Sequence, residues 1–234
     1  MAVGIFHGDK GGVGKSTICA TYGEYVLAQS KPLAVIECDT QNPDVARYFK
    51  DHVKVYQVDL RAESGWVELF NVLNEEEADD IIVSLPAGIG TPFANNASDL
   101  LAALEGTKRK AAIFWTLGRT ADSIALLRDV LNVYGRSMPI VAVKNLYHTG
   151  GNPALFTRWD GSNTRKELLA GGGVEINFPD MMDGIFDATF GAVPPVRFLG
   201  GVSRFGERMK LDQWLKASFD AFETISGKIG TGKR

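Results

Sequence analysis

Residues 7–20, HGDKGGVGKSTICA, constrain this chain more than any other stretch. The run before it, Ala2 to Phe6 (AVGIF), is short and apolar and fits a buried strand. The run after it, Ser16 to Ala28, has no proline and places Ile18, Tyr22, Tyr25 and Val26 at helical spacing. A strand, a glycine-rich loop and a helix in that order form the setting of a phosphate-binding loop. Gly11, Gly12 and Gly14 let the backbone turn so that successive N–H groups face an anion, and the helix start adds partial positive charge. Lys15 is placed to reach the β- and γ-phosphates of a nucleotide, Ser16 to hold Mg2+, and Thr17 to touch the α-phosphate.

The general pattern G-x-x-x-x-G-K-[ST] fails at its first position, where this chain has Asp9. The loop instead carries a second cation, Lys10, in the order K-G-G-x-G-K-S. That arrangement resembles the deviant Walker A motif of the ParA/MinD superfamily of dimeric P-loop ATPases. The resemblance implies that Gly11, Gly12, Val13, Gly14, Lys15, Ser16 and Thr17 bind ATP. It also implies that Lys10 reaches across a dimer interface to the nucleotide of the other subunit.

The rest of the chain suits such a protein. With 234 residues and 45% hydrophobic content it can bury one sizeable core, and a single domain over 1–234 with a flexible tail at 227–234 is expected. No run of 18 apolar residues and no basic-then-apolar leader occurs, so a soluble, unexported, cytoplasmic chain without a membrane anchor is expected. Cys19 and Cys38 are the only cysteines and read as reduced thiols.

Further strands are expected at Lys31 to Cys38, Val53 to Val58, Ile81 to Leu85, Ala111 to Thr116, Pro139 to Lys144 and Val174 to Phe178. Helices are expected at Gly65 to Leu73, Ser98 to Leu104, Thr120 to Tyr134 and Leu211 to Ile225. Asp39 to Arg47 reads as a loop opening toward a helix, Glu75 to Asp80 as a solvated acidic run, and Tyr147 to Gly161 as a polar loop. Alternating strands and helices imply an α/β fold: a mostly parallel twisted sheet with helices on both faces and the site beyond the carboxyl ends of the strands.

The resemblance assigns further roles. Relatives carry D-x-D at the end of the second strand; here it is Glu37-Cys38-Asp39, and Asp39 is expected to orient the attacking water and hold the Mg2+ water shell. Asp44 suits either the same loop or an ordinary helix cap. Relatives place a Walker B aspartate at the end of the third family strand, where this chain has Ser84, so slow turnover is expected. Asn145 resembles the residue that reads adenine, and Pro179 the turn that packs its ring.

From Pro195 to Arg234 the chain carries eight basic and four acidic residues, leaving a net −7 on residues 1–194. That asymmetry suits a DNA-facing patch, with Arg204, Arg208 and Lys210 as its candidates, or simply a solvated helix. An iron–sulfur protein is excluded by the lack of any cysteine after Cys38. A tyrosine-rich kinase tail is excluded because Tyr147 is the last tyrosine. The expected function is an ATPase that dimerises with ATP and positions DNA cargo in plasmid partition or conjugative transfer. It would bind DNA non-specifically, with a DNA-binding adaptor or transfer protein stimulating hydrolysis. The alternative is a hydrolysis-poor ATP switch that recruits a protein partner.

Overall fold

A computed structural model describes residues 2–8, 10–193 and 195–229. Asp9, Lys233 and Arg234 lie outside them. The strands are β1 (Ala2–His7), β2 (Leu33–Glu37), β3 (Lys54–Gln57), β4 (Asp80–Ser84), β5 (Lys110–Leu117), β6 (Ile140–Asn145) and β7 (Val174–Phe178). They form one parallel sheet in the order β3-β2-β4-β1-β5-β6-β7. The helices are α1 (Lys15–Ala28), α2 (Asp44–Phe49), α3 (Glu63–Glu75), α4 (Gly90–Asn95), α5 (Ala97–Gly106) and α6 (Ala121–Tyr134). They continue with α7 (Thr157–Asp160), α8 (Asn163–Ala170), α9 (Asp183–Ala188), α10 (Phe198–Gly201) and α11 (Phe205–Ile229).

Both faces of the sheet are buried, which is why its strands read as apolar runs rather than alternations. On one face Phe6, Val35, Ile82 and Phe114 pack under Ile18 and Tyr22 of α1 and Phe222 of α11. On the other, Ile5, Ile36, Val83 and Trp115 pack under Trp66 of α3, Leu100 of α5 and Leu127 of α6. Rings fill the first core closely: Phe6 stacks on Phe114 with centroids 4.6 Å apart, and Tyr22 meets Phe222 edge-on at 5.2 Å.

Several expectations are corrected. The acidic run Glu75 to Asp80 is not simply solvated, because Glu76 and Asp80 are buried. Glu76 accepts a 2.7 Å hydrogen bond from the Tyr56 hydroxyl, and the Arg109 guanidinium donates to the carbonyls of Glu76 and Ala78. Tyr147 to Gly161 is not plain loop: it holds two 3-10 turns and α7, and α8 follows, capped by the Ser162 hydroxyl accepting from the Arg165 amide. The terminal helix begins six residues before Leu211 and continues past Ile225. Gly227 to 229, expected to open a flexible tail, are its last turn, and 230–234 lie outside the described residues. Among the described residues, no helix is long and apolar enough to cross a membrane.

Candidate nucleotide site

The glycine-rich loop leaves β1, the central strand, at a point where its neighbours β4 and β5 lead to opposite halves of the sheet. This is the crevice where open α/β sheets bind ligands. Gly12 and Gly14 take φ of 72° and 94°, the left-handed region that side chains disfavour. A Cβ on Gly14 would also stand 2.3 Å from Asn145 Nδ2, so that position requires glycine twice over. Around Gly11 and Gly12 the space is open, as close approach of an anion needs.

A cavity of about 560 Å3 opens from this loop, a size suited to a nucleotide. One end is formed by Gly12, Gly14, Lys15, Ser16 and Thr17. The other is an apolar wall of Phe178, Pro179, Met181, Phe186 and Trp214, broad enough for a flat base, with Asp183 and Asp187 among it. A larger cleft of about 720 Å3 lies around Pro139 and Gly173, at the amino ends of β6 and β7. That is the wrong end of a parallel sheet for a nucleotide.

The two lysines are held differently. Lys15 Nζ donates to the Lys10 carbonyl at 2.9 Å, closing the loop on itself. Lys10 Nζ points outward and pairs with Asp122 Oδ2 in the first turn of α6. Asp122 was not singled out by the sequence; only its position at the start of a helix after β5 could have flagged it.

Asn145, the residue expected to read adenine, ties the loop to the segment after β6. Its Nδ2 donates to the Val13 carbonyl at 2.9 Å and its Oδ1 accepts from the Tyr147 amide at 3.2 Å. His148 Nε2 also meets the Val13 carbonyl, at 3.3 Å. Asn145 therefore clamps the phosphate loop while also lining the cavity. The Pro179 carbonyl accepts from the Trp214 indole, fixing the turn at the base end.

At the end of β2, Asp39 Oδ1 accepts from the Asn42 amide at 3.2 Å. Asp39 is absent from the lining of the cavity, whereas Asp44 is part of it. Asp44 is the first residue of α2 and pairs with Arg47; the N-cap position is Pro43, so Asp44 is not the cap.

Glu37 is buried and does the capping. Its Oε1 accepts from the Asp39 amide at 3.1 Å, and its Oε2 accepts from the Val45 and Ala46 amides at 3.0 and 3.3 Å. Burial pushes its carboxyl up to about 7, against the hydrogen bonds from Asp39, Ser84, Ala46 and Val45. Ser84 lies opposite Glu37 in the β2–β4 register and opposite Phe6 in the β1–β4 register. It thus stands beside the strand that feeds the loop, where the family resemblance puts an acid.

Among the described residues, no group of three or more His, Cys, Asp or Glu side chains is arranged to hold a metal alone. Mg2+ does not need one. It is commonly held by one or two protein oxygens together with substrate phosphates, and Ser16 and Asp39 fit that donor chemistry.

The DNA candidates sit at the start of α11. Arg204 pairs with Glu207 at 3.4 Å, Arg208 donates to the Val202 carbonyl, and Lys210 donates to Gln213. Beside them Phe205 is 80% exposed. Two other basic residues of the segment after Pro195 are engaged elsewhere: Arg197 forms a two-pronged pair with buried Glu24 of α1, and Lys216 pairs with Asp220.

No family model matches the sequence. Protein MobD of Acidithiobacillus ferrooxidans is 25% identical over 221 residues, covering 94% of this chain and 96% of MobD. Among solved structures, the MinD cell division protein of Aquifex aeolicus matches with a TM-score of 0.58 at 17% identity, over 100% of both chains. The septum site-determining protein MinD from Pyrococcus horikoshii, solved with Mg-ADP, matches with a TM-score of 0.56 at 12% identity, over 98% of this chain and 97% of that one. Over its length, this chain has the fold of the MinD-type P-loop ATPases.

Proposed function

We propose that the protein is an ATPase that dimerises on binding ATP and positions or segregates DNA cargo. The observation that carries this reading is the loop with two lysines in separate roles. Lys15 is folded in at the phosphate end of the cavity, and Lys10 is turned out toward solvent and α6. A lysine directed away from its own cavity is of use to a nucleotide that faces it from a second subunit.

In this reading the amides of Gly11 to Gly14 and the start of α1 bind the phosphates, and Lys15 exchanges the Lys10 carbonyl for phosphate oxygens. Mg2+ held at Ser16 would draw charge from the β- and γ-phosphate oxygens. Asp39 would orient the attacking water, and Glu37 would keep Asp39 and α2 in register. Phosphoryl transfer depends on such positioning and on dispersed positive charge more than on a strong nucleophile. Ser84 brings a hydroxyl where an acid is expected, so basal hydrolysis is slow and a partner raises it. A solved complex of MinC with MinD of Aquifex aeolicus, matching this chain with a TM-score of 0.54 at 16% identity, supports a protein partner.

Arg204, Arg208 and Lys210 would contact DNA phosphates, so binding would be insensitive to sequence and fall steeply with salt. Two copies on one dimer act bivalently. The experiment is a DNA titration with and without ATP and Mg2+ at several salt concentrations. Binding only with ATP, with a salt slope reduced by removing the three charges, is expected. No binding at low salt would remove the DNA role. The second reading, a hydrolysis-poor ATP switch for a protein partner, is favoured by Ser84 and would then stand.

A further inference from the structure

A second, smaller cavity lies on the other face of the sheet from α1. It measures about 220 Å3 and opens between α4 and α6. His7, the last residue of β1, and Trp115, its register partner on β5, line its buried end. Phe93 and Tyr134 wall it, and exposed Thr91 and Asp129 stand at its mouth.

The buried end carries polar atoms that nothing in the fold satisfies. His7 is 0% exposed, and neither ring nitrogen has a hydrogen-bond partner among the described residues. The Trp115 indole N–H, in a side chain 1% exposed, has none either. The rings around His7 offer it only their faces and edges: Trp115 at 4.7 Å and Phe93 at 5.2 Å between centroids, both edge-on. Tyr134 is no help, because its hydroxyl donates to the Phe93 carbonyl. Buried donors and acceptors left unpaired are costly, so native proteins seldom keep them without a use.

The chemistry of the occupant follows from these groups. Burial, helped by the charge of Lys15, lowers His7 to about 3, so the ring is neutral at ordinary pH. A neutral imidazole offers one donor and one acceptor, and the indole adds a donor. A hydroxyl answers both kinds, since it donates once and accepts twice. The aromatic and aliphatic walls exclude a charged body and favour a flat apolar one. We propose that the cavity between α4 and α6 is a binding site for a small neutral molecule with a hydroxyl on an aromatic ring, its hydroxyl held by His7 and Trp115.

The site shares no lining residue with the nucleotide cavity but adjoins the strand ends that lead to it. His7 ends β1, three positions before Lys10 of the phosphate loop, and α4 directly follows the Pro86 to Ile89 segment beyond Ser84. A ligand wedged between α4 and α6 therefore bears on both.

Phenol is the probe, with benzene as its hydroxyl-free control, titrated into the full chain without nucleotide. The readout is the indole N–H resonance of Trp115, assigned by its loss in Trp115→Phe. Phenol is expected to shift that resonance downfield and saturate. Benzene is expected to bind roughly tenfold more weakly, the difference of about 1.4 kcal/mol that one buried polar contact makes. Ala94→Leu, which fills the cavity from half-buried α4, should abolish the shift, and His7→Leu should narrow the phenol–benzene difference, leaving only what the Trp115 indole holds. Equal affinity for the two probes in the native protein, or no movement of the Trp115 resonance, would overturn the proposal. The phenol–benzene comparison decides it even if His7→Leu does not fold.

Discussion

Lys10 Nζ sits 2.5 Å from Asp122 Oδ2, joining the loop after β1 to the first turn of α6 within one chain. Both side chains are substantially exposed, so the pair is weak and screened by salt. The Lys10 hydrogen bond holds the Asp122 carboxyl below its usual range. In the proposed dimer Lys10 must leave Asp122 for the partner's phosphates. Asp122→Ala is expected to lower the ATP concentration needed for dimerisation, by light scattering with Mg2+. Lys10→Ala is expected to retain ATP binding and lose the dimer; an unchanged nucleotide-dependent dimer would sink the role across the interface.

Lys15→Ala should abolish ATP binding, because it removes a charge-assisted contact to phosphates and leaves the Lys10 carbonyl unpaired by it. Asp39→Ala should bind ATP normally and stop hydrolysis, accumulating dimer. Calorimetric titration and phosphate release separate the two effects. Native turnover in Asp39→Ala would remove Asp39 as the water-positioning group.

Ser84→Asp tests whether a missing acid limits metal binding. Its register neighbour Glu37 is buried and hydrogen-bonded to Ser84, so a second carboxylate there meets the first. Ser84→Asp alone is expected to gain little Mg2+ affinity, and Ser84→Asp with Glu37→Gln to gain roughly tenfold, about 1.4 kcal/mol. Identical Mg2+ dependence in all three proteins would show that position 84 does not face the metal.

His7 and Glu37 give stability opposite slopes with pH. His7 falls from 6.5 unfolded to about 3 folded, so its contribution is present above 6.5 and is lost as pH drops toward 3. Glu37 rises from 4.5 to about 7, so its contribution is present below 4.5 and is lost as pH rises through 7. Between 4.5 and 6.5 the two oppose each other. His7→Leu should remove the His7 limb, worth on the order of several kcal/mol, so that stability in this window increases as pH falls. Urea unfolding at a series of pH values reads it; an unchanged profile would show that His7 is not buried neutral.

The strands and the loop were legible in the sequence because burial on both faces makes short apolar runs, and because glycine with positive φ leaves a fixed spacing. Lys15 and Ser16 lie at one end of the cavity that opens from the loop. What could not be read were contacts between distant segments. Asp122 meets Lys10 across 112 residues, and Asn145 meets Val13 across 132. The short helices α4, α7, α8, α9 and α10 do not show in the sequence because they have too few turns for an apolar period to emerge. Glu76 looks solvated in the sequence because nothing local announces that Arg109, just before β5 and 33 residues along the chain, closes over its backbone.

The strand order also sets a timetable. β1, which carries the nucleotide loop, is synthesised before the other six strands but lies between β4 and β5, and β5 ends 110 residues after it at Leu117. At roughly 5–20 residues per second, β1 waits on the order of ten seconds for its second neighbour. Both of its hydrogen-bonding edges are open until β4 is made, and one stays open until β5 follows, the condition under which nascent chains pair wrongly or recruit chaperones. The loop at one end of the cavity is thus made long before Phe178, Pro179 and Trp214, which wall the other end.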